Sequence, residues 1–121
     1  MMRGITGPIA NAVLRQIALV ARLDGTDRQK PILIVEEIRS ADWASLTFEG
    51  QRHEFDLRLE GEAGEVAAAV TRLEADLAEA EIPLGRGFVA EVRIIAGDCR
   101  TLAQAGHVAR QLRIEALSIR D

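Results

Sequence analysis

The sequence predicts an α+β fold, a two-layer sandwich of a mixed, largely antiparallel sheet with helices mainly on one face. Three observations lead there. Apolar residues recur in narrow stripes at helical spacing in two long segments, several shorter runs are β-branched or alternate with period two, and the best-marked alternation has a polar second face.

Gly7-Pro8 puts a proline where the first turn of a helix tolerates it. Ile9, Val13, Ile17, Val20 and Leu23 then follow at helical spacing, with Gly25 as a stop. Pro31 opens the run Ile32-Leu33-Ile34-Val35, whose β-branched density suits a strand reaching Arg39, and Ser40 to Asp42 break it. A hairpin is expected over residues 43–60. With Glu49-Gly50-Gln51-Arg52 as a tight turn, Phe48 pairs with His53, Leu46 with Phe55 and Ala44 with Leu57, so every apolar residue but Trp43 falls on one face. Trp43 with Arg58, Ser45 with Asp56 and Thr47 with Glu54 make the other. On this register Leu46, Phe48, Phe55 and Leu57 are core residues.

A helix follows from Glu62 to Ile82, with Val66, Val70, Leu73 and Leu77 as its stripe and Pro83 as its end. Phe88 to Ile95 alternate as a half-buried or central strand. Thr101-Leu102-Ala103-Gln104 has capping-box spacing and predicts a short helix to Gln111, before a last strand from Leu112 to Ile119. The expected element order is αβββαβαβ in one domain, 1–121, since no repeat, linker or low-complexity stretch divides the chain.

At 121 residues, folding buries roughly two-thirds of the unfolded surface, enough for a core without metals or disulfides. Aromatic residues are only 3% of the chain, so the core must be aliphatic and few side chains remain to stack on a base or a flat cofactor. Trp43, Phe48, Phe55 and Phe88 are the whole supply. The single Cys99 cannot pair within the chain and no zinc-type cluster exists, which suits a reducing, cytoplasmic setting. Asn11, Arg15 and Gln16 interrupt the apolar N-terminal stretch, so it reads as an amphipathic helix rather than a signal peptide or a membrane span. The net charge of −4 is uneven, with fourteen acidic against five basic groups in residues 31–91. An acidic middle argues against a nucleic-acid surface, where cations must neutralise phosphates.

The residues able to carry chemistry are few. His53 has the right pKa range for acid–base work, but Glu54 and Asp56 point to the opposite face and its neighbours are Phe48 and Phe55, as for a core-edge histidine. Asp98-Cys99-Arg100 lies between a predicted strand end and a predicted helix start, where anions bind and thiol pKa values fall, yet no histidine is placed beside Cys99. Leu84-Gly85-Arg86-Gly87 lacks the lysine of a phosphate loop and is a turn. Trp43, a large ring on the polar face of the hairpin beside Arg58, is the less ordinary placement, and such pairs favour interfaces.

These features predict a non-catalytic binding or assembly module that self-associates through Trp43 and Arg58, with no cofactor, metal, nucleic acid or membrane partner. The alternative is a small enzyme or ligand-binding domain with a pocket formed by His53, Cys99 and Arg100.

Overall fold

The computed structural model describes residues 7–120. Pro8 begins α1 (Pro8–Ala21), behind an extended Gly7 whose carbonyl accepts from the Asn11 N–H at 3.0 Å. Ala10, Val13, Ile17 and Ala21 are its buried stripe. The helix ends before Gly25, at Arg22, which takes the left-handed conformation (φ 59°) and bonds back to the Leu19 carbonyl. Two strands follow, β1 (Ile32–Ala44) and β2 (Glu49–Glu62), then α2 (Ala63–Asp76), a short 3-10 turn (Leu77–Glu79), β3 (Phe88–Thr101) and β4 (His107–Ile119). Glu62 caps α2 by accepting from the Glu65 N–H at 3.0 Å. Val66, Val70 and Leu73 are buried along it and Leu77 in the turn that follows, the stripe that their spacing predicts, although the helix ends at Asp76 rather than Ile82.

The four strands form one sheet in the order β1-β2-β4-β3, with every neighbouring pair antiparallel. The two-layer α+β class is as expected, but no adjacent pair is parallel, so the sheet is not mixed. Phe55, Leu57 and Leu59 of β2 and Leu112, Ile114 and Ala116 of β4 turn one face toward the helices, meeting Val13 and Ile17 of α1 and Val66, Val70 and Leu73 of α2. Burying each such large aliphatic or aromatic side chain is worth about 1.5–3 kcal/mol, which places β2 and β4 at the centre of the sheet and leaves β1 and β3 as its edges.

Three expectations need correction. The expected break at Ser40–Asp42 is absent, and β1 runs straight through it, so two strands rather than three precede α2. Asp42 tolerates this because β1 is an edge and its side chain remains exposed, while the Ser40 hydroxyl is satisfied by His53 at 2.8 Å. The turn is Ser45–Phe48, not Glu49–Arg52. Ala44 pairs with Glu49 and Ile38 with Phe55, a register displaced by eight residues from the predicted one. Leu46 and Phe48 are therefore exposed loop residues, whereas Phe55 and Leu57 are fully buried. Eight is an even number, so each residue that remains in a strand keeps its predicted face.

Gly50 drew the expected turn to the wrong place. It is a strand residue without positive φ, and a Cβ there would lie 1.9 Å from the Ser118 carbonyl oxygen, so glycine is needed for the close approach of β2 to β4.

The predicted helix over Thr101–Gln111 is also absent. β3 continues to Thr101 through irregularities at Val89/Glu91 and Ala96/Cys99, and β4 starts at His107 after a hairpin loop closed by Gly106 at φ +79°. The capping-box pattern there is a local preference, outweighed by continuous pairing of β4 with strands on both sides.

Candidate functional site

Strand register brings four residues into one row across the end of the sheet: Trp43 opposite Gly50, Gly50 opposite Ile119, and Ile119 opposite Phe88. The core-facing row Ile38-Phe55-Ile114-Ile94 lies five residues away on each of β1, β2 and β4, an odd number. On β3 the separation is six, with the irregularity at Val89/Glu91 supplying the extra residue. The Trp43 row is therefore on the face turned away from the helices. Trp43 is half-buried, Ile119 is buried, and Phe88 is 49% exposed.

The β1–β2 loop extends this row beyond the sheet. Ser45 fixes it, its N–H donating to the Phe48 carbonyl at 2.8 Å and its Oγ accepting from the Phe48 N–H at 3.1 Å. With the backbone held this way, Leu46 at the tip is 105% exposed and Phe48 is 52% exposed. Three of the four aromatic residues and the most exposed leucine thus share one end of the molecule. Exposed apolar residues collected at one end of a domain are candidates for an interaction surface.

The rest of that face is a lattice of ion pairs. Arg39 reaches Glu54 at 3.0 Å and Asp56 at 2.9 Å, and Arg113 reaches Asp56 at 2.9 Å. Arg58 binds Glu36 and Glu60, and Arg93 binds Glu115. Hydrogen bonds from Arg39 and then Arg113 hold the Asp56 carboxyl below the usual carboxylate range. Exposed pairs like these add only about 0–1 kcal/mol each, but they keep the middle of the face polar and hydrated.

This arrangement separates the two residues predicted to act together at an interface. Gly50, beside Trp43, and Arg58 are eight positions apart along β2, roughly 27 Å at ~3.4 Å per residue, so the pair cannot stack. Trp43 does occupy the predicted face, with Asp42, Glu49, Gly50 and Arg120 around a shallow depression beside it.

Residues of the alternative site do not meet either. His53 pairs with Ala116 and Cys99 with Arg110, six positions apart along β4, so roughly 20 Å of sheet separates them. Cys99 is exposed on β3, with Arg100 next to it on the same strand. His53 is 3% exposed, sharing the core face with Phe55. Its Nδ1 is 2.8 Å from the Ser40 Oγ and its Nε2 is 3.1 Å from the Ser118 Oγ, so both ring nitrogens are satisfied within the fold. Among the described residues no group of three or more His, Cys, Asp or Glu could hold a metal ion.

Burial pushes the His53 pKa down, because desolvation disfavours the imidazolium. The unfolded chain, titrating near ~6.5, therefore binds more protons than the folded one just below that pH. Stability contributed by neutral His53 is complete above about pH 6.5 and declines as the pH falls toward the folded value. Urea midpoints measured between pH 5 and 8 should fall on the acid side, and His53→Gln should flatten that slope; an equal slope in the variant rules His53 out as its source.

The apolar row and tip left little trace in the sequence. Trp43 alone signalled them; Phe48 and Leu46 were masked by an alternation that fitted a longer strand.

Comparison of the sequence with known protein families and with curated proteins gives no match. Solved structures do give matches. The fold is similar to that of a chain from the virion of a native gene transfer agent particle, with a TM-score of 0.65 and 17% sequence identity over 98% of this chain and 99% of that chain. At this identity the likeness is one of fold. It extends over both helices and all four strands, since so little of either chain is left outside it. No helix among the described residues is long and apolar enough to cross a membrane.

Proposed function

We propose that this chain is a non-catalytic structural subunit that associates with further copies of itself, and that the apolar end of the sheet is part of the contact. The observation that carries the reading is the gathering of Trp43, Phe48 and Phe88 with Leu46 at one exposed end, in a chain with only four aromatic residues. Desolvated tryptophan and other aromatic anchors dominate many interfaces, while the ion-paired middle of the same face gains little from being dried. The fold neighbour, a chain of a virion particle, supports an assembly role without specifying one. An exposed free thiol at Cys99 suits work in a reducing, cytoplasmic setting.

Light scattering during size exclusion tests the reading at high micromolar concentration, where an oligomer is expected. Trp43→Ala should shift the equilibrium toward monomer by at least ~2 kcal/mol per contact, the size of an interface hot spot. The wild-type melting temperature should rise with protein concentration and the variant's should rise less. A wild type that stays monomeric and melts at one temperature throughout defeats the proposal.

A further inference from the structure

Resting on the self-association proposed above, we infer that two copies stack face to face, the outer faces of their sheets meeting about a two-fold axis that runs along β4. Next to the row Trp43-Gly50-Ile119-Phe88 on that face stands the row Ala41-Arg52-Leu117-Glu91. Leu117 and Ile119 lie outside the helix-facing core and make the outer side of β4 apolar at this end. Arg52 and Glu91 flank Leu117, both exposed and neither held in an ion pair among the described residues. In the third row, Arg39-Glu54-Glu115-Arg93, every charge already has a partner in its own chain. The two charges left over are thus opposite in sign and two strands apart, roughly 10 Å at ~4.8 Å per strand, with β4 midway between them.

That placement makes the face complementary to itself. Because β2 and β3 flank β4, a two-fold along β4 lays β2 of one copy over β3 of the other. Arg52 then faces the second copy's Glu91, Glu54 faces its Arg93, and Phe88 faces Gly50, which carries no side chain to obstruct the ring. Each of these contacts occurs twice, as in any isologous dimer. A two-fold running across the strands would instead set Arg52 on Arg52 and Glu91 on Glu91, and juxtaposed like charges oppose association. Stacked sheets keep their strand directions within about 30° of each other, so the match is closest in the first two rows and the third stands at the hydrated rim.

The apolar area is of the size such a contact needs. Full aromatic side chains present ~150–250 Å² each, so partly exposed Trp43, Phe48 and Phe88 with fully exposed Leu46 offer on the order of 400 Å². A standard interface takes ~800 Å² from each partner and is ~57% apolar, or roughly 450 Å² a side. Both partners present the same patch, so the requirement is met on each side by the same residues.

Charge reversal tests the pairing at two exposed positions. Arg52→Glu and Glu91→Arg should each weaken association at least about tenfold, because each sets two pairs of like charges across the axis. An equimolar mixture of the two variants should restore a dimer of twice the monomer mass in light scattering, since every reversed site then faces an opposite charge. An ion pair formed within one chain would gain nothing from the mixing. Circular dichroism checks the fold, with Arg52→Asp and Glu91→Lys as replacements should either variant unfold. A mixture that stays as dissociated as its components overturns the contact, and so do single variants that associate like an oligomeric wild type; in both cases the broader assembly reading stands. A monomeric wild type defeats self-association itself, and this contact with it.

Discussion

Phe55→Ala is expected to cost about 3–5 kcal/mol, a large share of the ~5–15 kcal/mol that holds a domain of ordinary stability. Phe55 is fully buried in β2 between Ile38 and Ile114, and truncation leaves a cavity at the middle of the sheet's inner face. The three other aromatic residues provide the contrast. Phe48→Ala, at an exposed loop position, should change the stability of the monomer by no more than ~0.5 kcal/mol. Urea unfolding followed by circular dichroism, at a concentration low enough to keep subunits apart, measures both. A loss below ~1 kcal/mol for Phe55→Ala would mean that the core is not organised around β2.

Gly50→Ala is expected to be equally severe for a different reason. The new Cβ would meet the Ser118 carbonyl oxygen at 1.9 Å and its carbon at 2.9 Å, and neither is the far end of a flexible side chain. Relief requires β2 and β4 to part at this point, an overpacking cost at or above the upper end of the usual ~1–3 kcal/mol. The bonds released there include those holding Trp43 and Ile119 in one row, so the substitution should also reduce self-association. Gly25→Ala is the control, since nothing lies within 4 Å of a Cβ at that site and its effect should be within ~0.5 kcal/mol. Thermal unfolding of the two variants side by side decides the matter; equal melting temperatures would show that the close approach relaxes at little cost.

The sequence pattern predicts the sandwich class and the α2 stripe correctly, because both depend on periodicity within one element. It also assigns Phe55 and Leu57 to the core, as the alternation of β2 survives any change of partner. Register is another matter. Ser45-Leu46-Thr47-Phe48 contains neither glycine nor proline, so the true loop gives no familiar turn signal, and the serine hydroxyl that closes it becomes apparent only in three dimensions. Gly50 supplies a false signal at the neighbouring site. The capping-box spacing after Thr101 misleads similarly, because strand pairing over residues 107–119 depends on β2, far away in sequence. For the candidate site, Trp43 was legible through parity alone, whereas its neighbours Phe88 and Ile119 belong to strands whose order the pattern leaves open.

The position of β4 bears on how the protein is made. Gly50 pairs with Ile119 and Glu62 with His107, so the central hydrogen-bond ladder joins residues 45 to 69 apart in sequence, while β3 has no neighbour in the sheet but β4. A nascent chain that has emerged only through α2 holds a β1–β2 hairpin and two helices, with half of the β2 ladder unmatched. β4 therefore acts as a keystone. Such non-local pairing raises contact order and slows folding, and until β4 arrives the bare flank of β2 is a template for the corresponding strand of a neighbouring nascent chain. The interval before that strand is inserted sets the window in which two nascent chains can pair wrongly.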